Sequence, residues 1–347
     1  MIGRSLLDLF DKYIPLGGTI LDQMRRARID VHTIVCLLKP FPTDKSKLKW
    51  LNIEVTNICN SNCRFCAYRY QDKFRRSKGI MADAIFEKAV NDFKKCGGKF
   101  VSLTPFAGEP LLDPSIIDRI EFIKKLGLWA GFFTNGTFLN RIDIDRLLKS
   151  GIDALTISTA PLERGMYELV YQNKHYEDLL SGLTNLFMAR NSLRKDLIVN
   201  LTFRSHIPMK KVLSLADFQK VIYPLLTMED RKAIIVNTRG FDTWGGQIRK
   251  KDMVGSMRLA LPPLIKRRPC SWIFIPYITW DGQVRACPCR YAPIKKEDGK
   301  DELYLGNILE SSLAKIWAGP EIQNLWFGFK KGDLPTVCRN CTMYRPC

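Results

Sequence analysis

The sequence lacks any run of about 18 uncharged apolar residues, so no membrane-spanning helix is expected. It also lacks the uninterrupted apolar centre of a signal peptide. The opening MIGRSLLDLFDKYIPLGG is broken by Asp8, Asp11 and Lys12, and a cytoplasmic location is expected. There is no long basic block and no recognised nucleic-acid motif, although the formal net charge is +19. Lys and Arg are scattered from Arg4 to Arg345, which reads as a solvated basic surface rather than a nucleic-acid footprint. Histidine is scarce, with three residues in 347. Cysteine is not: there are eleven. In a reducing cytoplasm they point to metal binding or redox work rather than disulfides. The length allows one large domain and a small appended one.

Residues 1–47 read as an N-terminal helical extension. Leu6, Leu7, Phe10, Tyr13 and Ile14 recur at helical spacing, Gly17-Gly18 breaks the pattern, and a second helix is expected over 19–38. These helices cover one end of a barrel. The alternative, given Arg25, Arg26 and Arg28, is peripheral contact with a membrane surface or docking of a partner. Residues 48–240 alternate strand-like and helix-like runs. Leu51–Thr56, Lys99–Thr104, Leu128–Phe133, Ala154–Ser158, 196–203 and 232–237 read as strands. Helices fall between them at Met81–Cys96, after the Asp113-Pro114 cap, in RIDIDRLLKS, at 174–191 and at 214–226. Such a β–α series implies a parallel sheet with right-handed crossovers. A closed barrel needs more units, so the fold class is α/β, a partial (β/α)6 TIM-like barrel with its ligands at the carboxyl ends of the strands. Residues 241–261, including GFDTWGGQI, read as a linker. Residues 262–347 form a small cysteine-rich C-terminal domain that depends on metal to fold.

CNSNCRFC sets Cys59, Cys63 and Cys66 just after the first strand. Three thiolates so close together can ligate three irons of a 4Fe–4S cube and leave the fourth open to a substrate or cofactor. Structural zinc would want a fourth ligand nearby, and the nearest histidine is the distant His32. The Cys-x3-Cys-x2-Cys spacing, with Phe65 before the last cysteine, resembles the radical S-adenosylmethionine (radical SAM) superfamily. The resemblance runs from about Trp50 to the C-terminus. It implies that the open iron binds S-adenosylmethionine and that electron transfer into the sulfonium yields a deoxyadenosyl radical, which abstracts a substrate hydrogen. FAGEP at 106–110 resembles the Gly-Gly-Glu-Pro segment of that family, with Ala107 in place of the first Gly. The resemblance implies that Gly108 and Glu109 receive the methionine ammonium. It also implies that Thr134 and Asn135 of FFTNGT contact the ribose, that Ser158 and Thr159 offer polar contacts, and that Arg204 pairs with the methionine carboxylate.

Cys270, Cys287, Cys338 and Cys341 follow in an order that resembles the twitch auxiliary domain, the shortened form of the SPASM domain. WDGQVRAC reads as a hairpin turned at Asp281-Gly282. The resemblance implies one fully ligated auxiliary 4Fe–4S cluster; structural zinc on the same four cysteines is the alternative. Cys289 is a candidate hydrogen-atom donor to a product radical; the alternative, for it and for Cys347, is a packing residue or an alternative cluster ligand. Cys36 and Cys96 read as core residues. The function expected is oxidation of a small polar metabolite or sugar. The alternatives are a peptide- or protein-modifying maturase that crosslinks or epimerises, and a noncatalytic cysteine-rich metal-binding module. A reductant such as flavodoxin or ferredoxin is the expected partner.

Overall fold

The structure, a computed structural model, describes residues 48–74, 76–263, 266, 269–288 and 302–345. The helices expected over 6–14 and 19–38, and Cys36, Cys289 and Cys347, lie outside the described residues. Six strands run parallel and side by side in chain order. They are β1 (Trp50–Ile53), β2 (Phe100–Ser102), β3 (Trp129–Thr134), β4 (Ala154–Thr159), β5 (Val199–Arg204) and β6 (Ile235–Asn237). Between them lie α1 (Asp83–Lys95), α2 (Ile116–Lys125), α3 (Ile144–Lys149), α4 (Arg164–Tyr171), α5 (Tyr176–Leu193), α6 (Met209–Leu213) and α7 (Met228–Lys232). A short parallel pair, β7 (Arg239–Phe241) with β8 (Arg258–Leu259), follows where the sequence reads as linker. The barrel stays open, as the number of β–α units predicts.

Strand alternation decides what each face does. Leu51, Ile53, Val101, Leu155, Ile157, Leu201 and Phe203 are fully or almost fully buried and share one core with Phe93 of α1, Ile120 of α2 and Phe187 of α5. The alternate residues face inwards. At the amino ends these are Trp50, Phe100 and Trp129, with Trp50 stacked on Phe100 at 4.4 Å. Above them come polar groups: Asn52 and Ser102, then Thr156 and Asn200, then Ser158 and Thr202.

The C-terminal region continues the same sheet. β9 (Pro276–Ile278) pairs parallel with β1, placing Tyr277 beside Asn52. β10 (Gln283–Ala286) returns antiparallel to β9 and pairs with β11 (Tyr304–Asn307), giving nine strands in all. Gly282 sits in the turn at φ +84°, a backbone that its lack of a Cβ permits. Helices α8 (Leu313–Ala318), α9 (Pro320–Lys331) and α10 (Thr336–Arg339) follow.

Two expectations are corrected. Asp113 does not cap α2. Its Oδ1 accepts the Ser115 N–H at 3.1 Å and its Oδ2 the Arg119 Nε at 2.6 Å, so it orders the preceding turn while the helix begins at Ile116. The helix expected over 214–226 is broken into a π-turn at Phe218–Ile222 and a 3-10 turn at Tyr223–Leu225, because Pro224 has no N–H to continue it.

Candidate functional site

Cys59, Cys63 and Cys66 lie in the loop leaving β1, at the carboxyl edge of the sheet. The loop is fastened on several sides. Asn62 N–H donates to Tyr171 O at 3.2 Å and Arg64 N–H to Val170 O at 3.0 Å. Cys59 N–H donates to the Tyr68 hydroxyl at 3.1 Å, and the Trp244 indole N–H donates to Phe65 O at 2.8 Å. A closed hydrogen-bond ring ties the loop to the end of β3. Asn135 Nδ2 donates to Asn60 Oδ1 (2.8 Å), Asn60 Nδ2 to Thr137 Oγ1 (2.7 Å), and the Thr137 hydroxyl to Asn135 Oδ1 (2.6 Å).

Burial raises all three thiols, Cys66 to about 11. Cys59 is raised further by the charge of Glu109 and then of Cys66, and Cys63 by the charges of Cys66 and Cys59. Three thiolates in one buried loop that repel one another are stabilised by positive charge. Iron supplies it, and the donor set fits a cluster bound through three sulfurs.

Glu109 is 2% exposed and spans two strands. Its N–H donates to Ile58 O at 2.8 Å in the cysteine loop. Its carboxylate accepts from the Thr134 hydroxyl, from Asn135 N–H at 2.8 Å and from Leu111 N–H at 3.2 Å. Burial pushes its carboxyl up to about 7 against the pull of those donors. A cation brought to this loop would hold it as the carboxylate. Gly108 permits the close approach: a Cβ there would sit 2.5 Å from Thr56 O. Glu109→Gln sets an NH2 against at least one of three N–H or O–H donors. The expected loss is about 1–3 kcal/mol of stability in denaturant unfolding of the metal-free chain. An unchanged midpoint would remove Glu109 as the tie between β1 and β3.

At the ends of β4 and β5, Ser158 Oγ lies 3.2 Å from the Tyr171 hydroxyl and accepts from Arg204 Nε at 3.3 Å. Arg204 also lies over the Phe65 ring at 5.9 Å and has no ion pair among the described residues. Phe65 packs edge-on to Tyr171 at 5.6 Å. Thr159 is fully buried, its hydroxyl without a partner. The expected residues Phe65, Gly108, Glu109, Thr134, Asn135, Ser158 and Arg204 thus gather around the cysteine loop. Thr134 and Asn135 do so as ties within the protein. Asn60, Ser61, Tyr68, Thr137, Tyr171 and Trp244 are the residues that sequence reasoning missed. The polar pair Asn60-Ser61 inside the cysteine motif was the available signal.

The second group is Cys270, Cys287, Cys338 and Cys341, all buried. Burial first, then their mutual repulsion, lifts Cys270 and Cys338 well above the ordinary thiol range. The four therefore face one space. Among the described residues no group of three or more His, Cys, Asp or Glu side chains is drawn in around a single metal ion, here or at the first triplet. Cys287 adopts φ +73°, unusual for a residue with a Cβ and held by the buried hairpin end. Lys266 Nζ donates to Cys338 O at 2.7 Å, Arg339 O at 2.6 Å and Cys341 O at 3.2 Å, clamping the last two cysteines. Arg345 N–H donates to Cys270 Sγ at 3.3 Å.

Residues 53–215 match the family model described as the radical SAM superfamily, and residues 270–342 match SPASM, an iron–sulfur cluster-binding domain. The second match decides against structural zinc on the four C-terminal cysteines. The tungsten-containing aldehyde ferredoxin oxidoreductase cofactor-modifying protein of Pyrococcus furiosus is 23% identical over 327 residues, 86% of this chain and 89% of that protein. A GTP 3',8-cyclase of Mannheimia succiniciproducens is 29% identical over 141 residues, 40% of this chain and 41% of the cyclase, so the match spans less than half of that relative. Among solved structures, SuiB of Streptococcus suis bound to precursor peptide SuiA superimposes with a TM-score of 0.57, at 15% identity over 87% of this chain and 71% of SuiB. BtrN in complex with AdoMet and 2-DOIA gives 0.52, at 16% identity over 85% of this chain and 92% of BtrN. At these identities the two structures share the fold. No helix among the described residues is long and apolar enough to cross a membrane.

Proposed function

From the chain's membership of the radical SAM superfamily, with a SPASM iron–sulfur domain behind the radical domain, we propose that it takes a hydrogen atom from a small polar metabolite, such as a sugar, and oxidises the product radical. Cys59, Cys63 and Cys66 would hold the cluster, which with S-adenosylmethionine bound would supply reductive cleavage chemistry. The chain's own residues bind and orient. Gly108 lets the loop bearing Glu109 lie against β1, where its carbonyls and buried carboxyl meet an ammonium group. Arg204, held by Ser158 and without an acidic partner among the described residues, is the cation for the methionine carboxylate. Cys270, Cys287, Cys338 and Cys341 would hold the auxiliary cluster, which would supply an electron acceptor.

The observation that carries the substrate class is the inner face of the sheet. The side chains of Asn52, Thr156, Asn200, Thr202 and Asn237 alternate with core residues on β1, β4, β5 and β6 and make no hydrogen bond to a described residue. Uncharged donors and acceptors left open in this way suit hydroxyl and amide groups. A second reading, modification of a peptide or of another protein's cofactor, draws on the cofactor-modifying role of the Pyrococcus relative and on the peptide bound to SuiB.

The test is anaerobic reconstitution, iron and sulfide counting, then reduction with S-adenosylmethionine. About eight irons per chain and released deoxyadenosine support the radical chemistry. Little iron and no cleavage overturn it. Deuterium carried from labelled cyclitols or from peptides into deoxyadenosine separates the two substrate readings. Arg204→Met is expected to raise the KM for S-adenosylmethionine by about tenfold to a hundredfold, the worth of a charged hydrogen bond, and to change kcat far less. Equal KM values would remove Arg204 from the carboxylate site.

A further inference from the structure

Tyr277 belongs to the C-terminal hairpin, yet its hydroxyl reaches into the radical domain. β9 and β10 lie between Cys270 and Cys287, so the two ends of this hairpin are ligands of the auxiliary centre. β9 is also bonded directly to β1, through the Tyr277–Asn52 register and the Glu54 N–H to Ile278 O at 2.8 Å. Tyr277 is 1% exposed. Its hydroxyl donates to Glu54 Oε2 at 2.8 Å and accepts the Phe106 N–H at 2.6 Å. Glu54 is fully buried and its other oxygen takes Arg76 Nη2 at 2.7 Å, so the acceptor is a fixed charge that cannot turn away. Phe106 opens the segment 106–110 that carries Gly108 and Glu109. Its ring meets Trp244 edge-on at 4.9 Å, and Trp244 in turn holds Phe65 O beside Cys66.

We propose that Tyr277 is a positioning residue through which the auxiliary-cluster hairpin holds the S-adenosylmethionine-binding loop, so that the C-terminal domain completes the cofactor site of the radical domain. The geometry is a single hydroxyl serving one acceptor just past the end of β1 and one donor on the loop after β2. A hairpin braced at both ends by a cluster keeps that hydroxyl in register; a hairpin loosened at Cys270 or Cys287 lets the loop move. The proposal rests on the radical SAM reading above.

The experiment is Tyr277→Phe in the full chain with both clusters reconstituted, probed with S-adenosylmethionine itself. The ring and its packing remain and only the hydroxyl is lost. The expected result is wild-type iron content, an affinity for S-adenosylmethionine weaker by about tenfold, and an altered change in the reduced cluster's EPR signal on adding it. Hydrogen–deuterium exchange of the peptide over residues 104–111 rises, while peptides over β4 and β5 keep their protection. Affinity within about twofold of wild type together with unchanged exchange overturns the proposal. If Tyr277→Phe does not fold, Glu54→Gln serves: it keeps the side-chain volume, replaces the charged acceptor by a neutral amide whose NH2 must oppose either the Tyr277 hydroxyl or the Arg76 guanidinium, and is expected to weaken affinity in the same direction. Wild-type affinity and exchange in Glu54→Gln would likewise overturn it. Should the wild type bind no S-adenosylmethionine at all, the functional reading fails, and exchange at 104–111 in the two variants still decides whether Tyr277 holds the loop.

Discussion

Cys63→Ala is expected to abolish deoxyadenosine release and to lower iron by about four atoms per chain, with the apo chain almost as stable as wild type. Cys63 is the middle of the three thiols and only 8% exposed. With two sulfurs left, the cube has too few anchors and is lost or falls to a smaller form. The loop around it does not rely on that sulfur. Asn60, Asn135 and Thr137 close their ring without it, Asn62 and Arg64 donate to the end of α4, and Trp244 holds Phe65 O. Alanine leaves a small void, for which the cost is about 1–2 kcal/mol, as for other truncations of small buried groups. The two readouts therefore separate: chemistry is lost completely while thermal unfolding of the metal-free chain shifts by only a few degrees. Iron counting, product chromatography and unfolding of the same preparation decide it. Deoxyadenosine formation by Cys63→Ala at even a few per cent of the wild-type rate would mean that the triplet is not the cleavage centre.

What was legible in the sequence followed from repetition and from chemistry that tolerates few substitutes. The cysteine spacing places a cluster whatever the rest of the chain does, and the strand–helix alternation from β1 to β6 gives the open parallel sheet. Helix α4 was missed because MYELVY is short, with tyrosines rather than aliphatics on its buried side; Tyr167 and Tyr171 are the residues that bury it. The pairing of β9 with β1 was invisible because it joins residues more than two hundred positions apart and is set by packing, not by local pattern. The same holds for Thr134 and Asn135. The resemblance points them at a ribose; the structure adds a bond from the Thr134 hydroxyl to Glu109 and from the Asn135 amide to Asn60 and Ser61. A motif names residues that matter near a cofactor. Whether they touch it or hold what touches it is decided by which neighbours the fold brings within hydrogen-bond reach.

Asp230→Ala is expected to cost about 3–5 kcal/mol, the largest stability loss of any single change considered. Asp230 is 1% exposed at the start of α7 and Arg190 of α5 is fully buried. Its Oδ2 accepts from Arg190 Nη2, from Thr227 N–H at 2.9 Å and from the Thr227 hydroxyl at 2.8 Å; its Oδ1 accepts Val199 N–H at 3.2 Å. One carboxylate thus closes a capping box and fixes the amino end of β5. It also neutralises a guanidinium whose Nε and Nη1 have no other hydrogen-bond partner. Removing it leaves a buried positive charge with only the Phe187 ring nearby, at 5.4 Å. Arg190→Met should cost less, because the charge leaves with the side chain, its apolar stem is kept, and Asp230 retains its three remaining hydrogen bonds. The double variant should then recover part of what Asp230→Ala loses, which a double-mutant cycle in urea measures directly. The pair sits at the amino end of β5 and Arg204 at its carboxyl end, so cleavage of S-adenosylmethionine per folded molecule should be unaffected. Additive losses in the cycle would show that Arg190 and Asp230 do not act as a pair. A parallel fall in cleavage per folded molecule would show that the amino end of β5 also sets the position of Arg204.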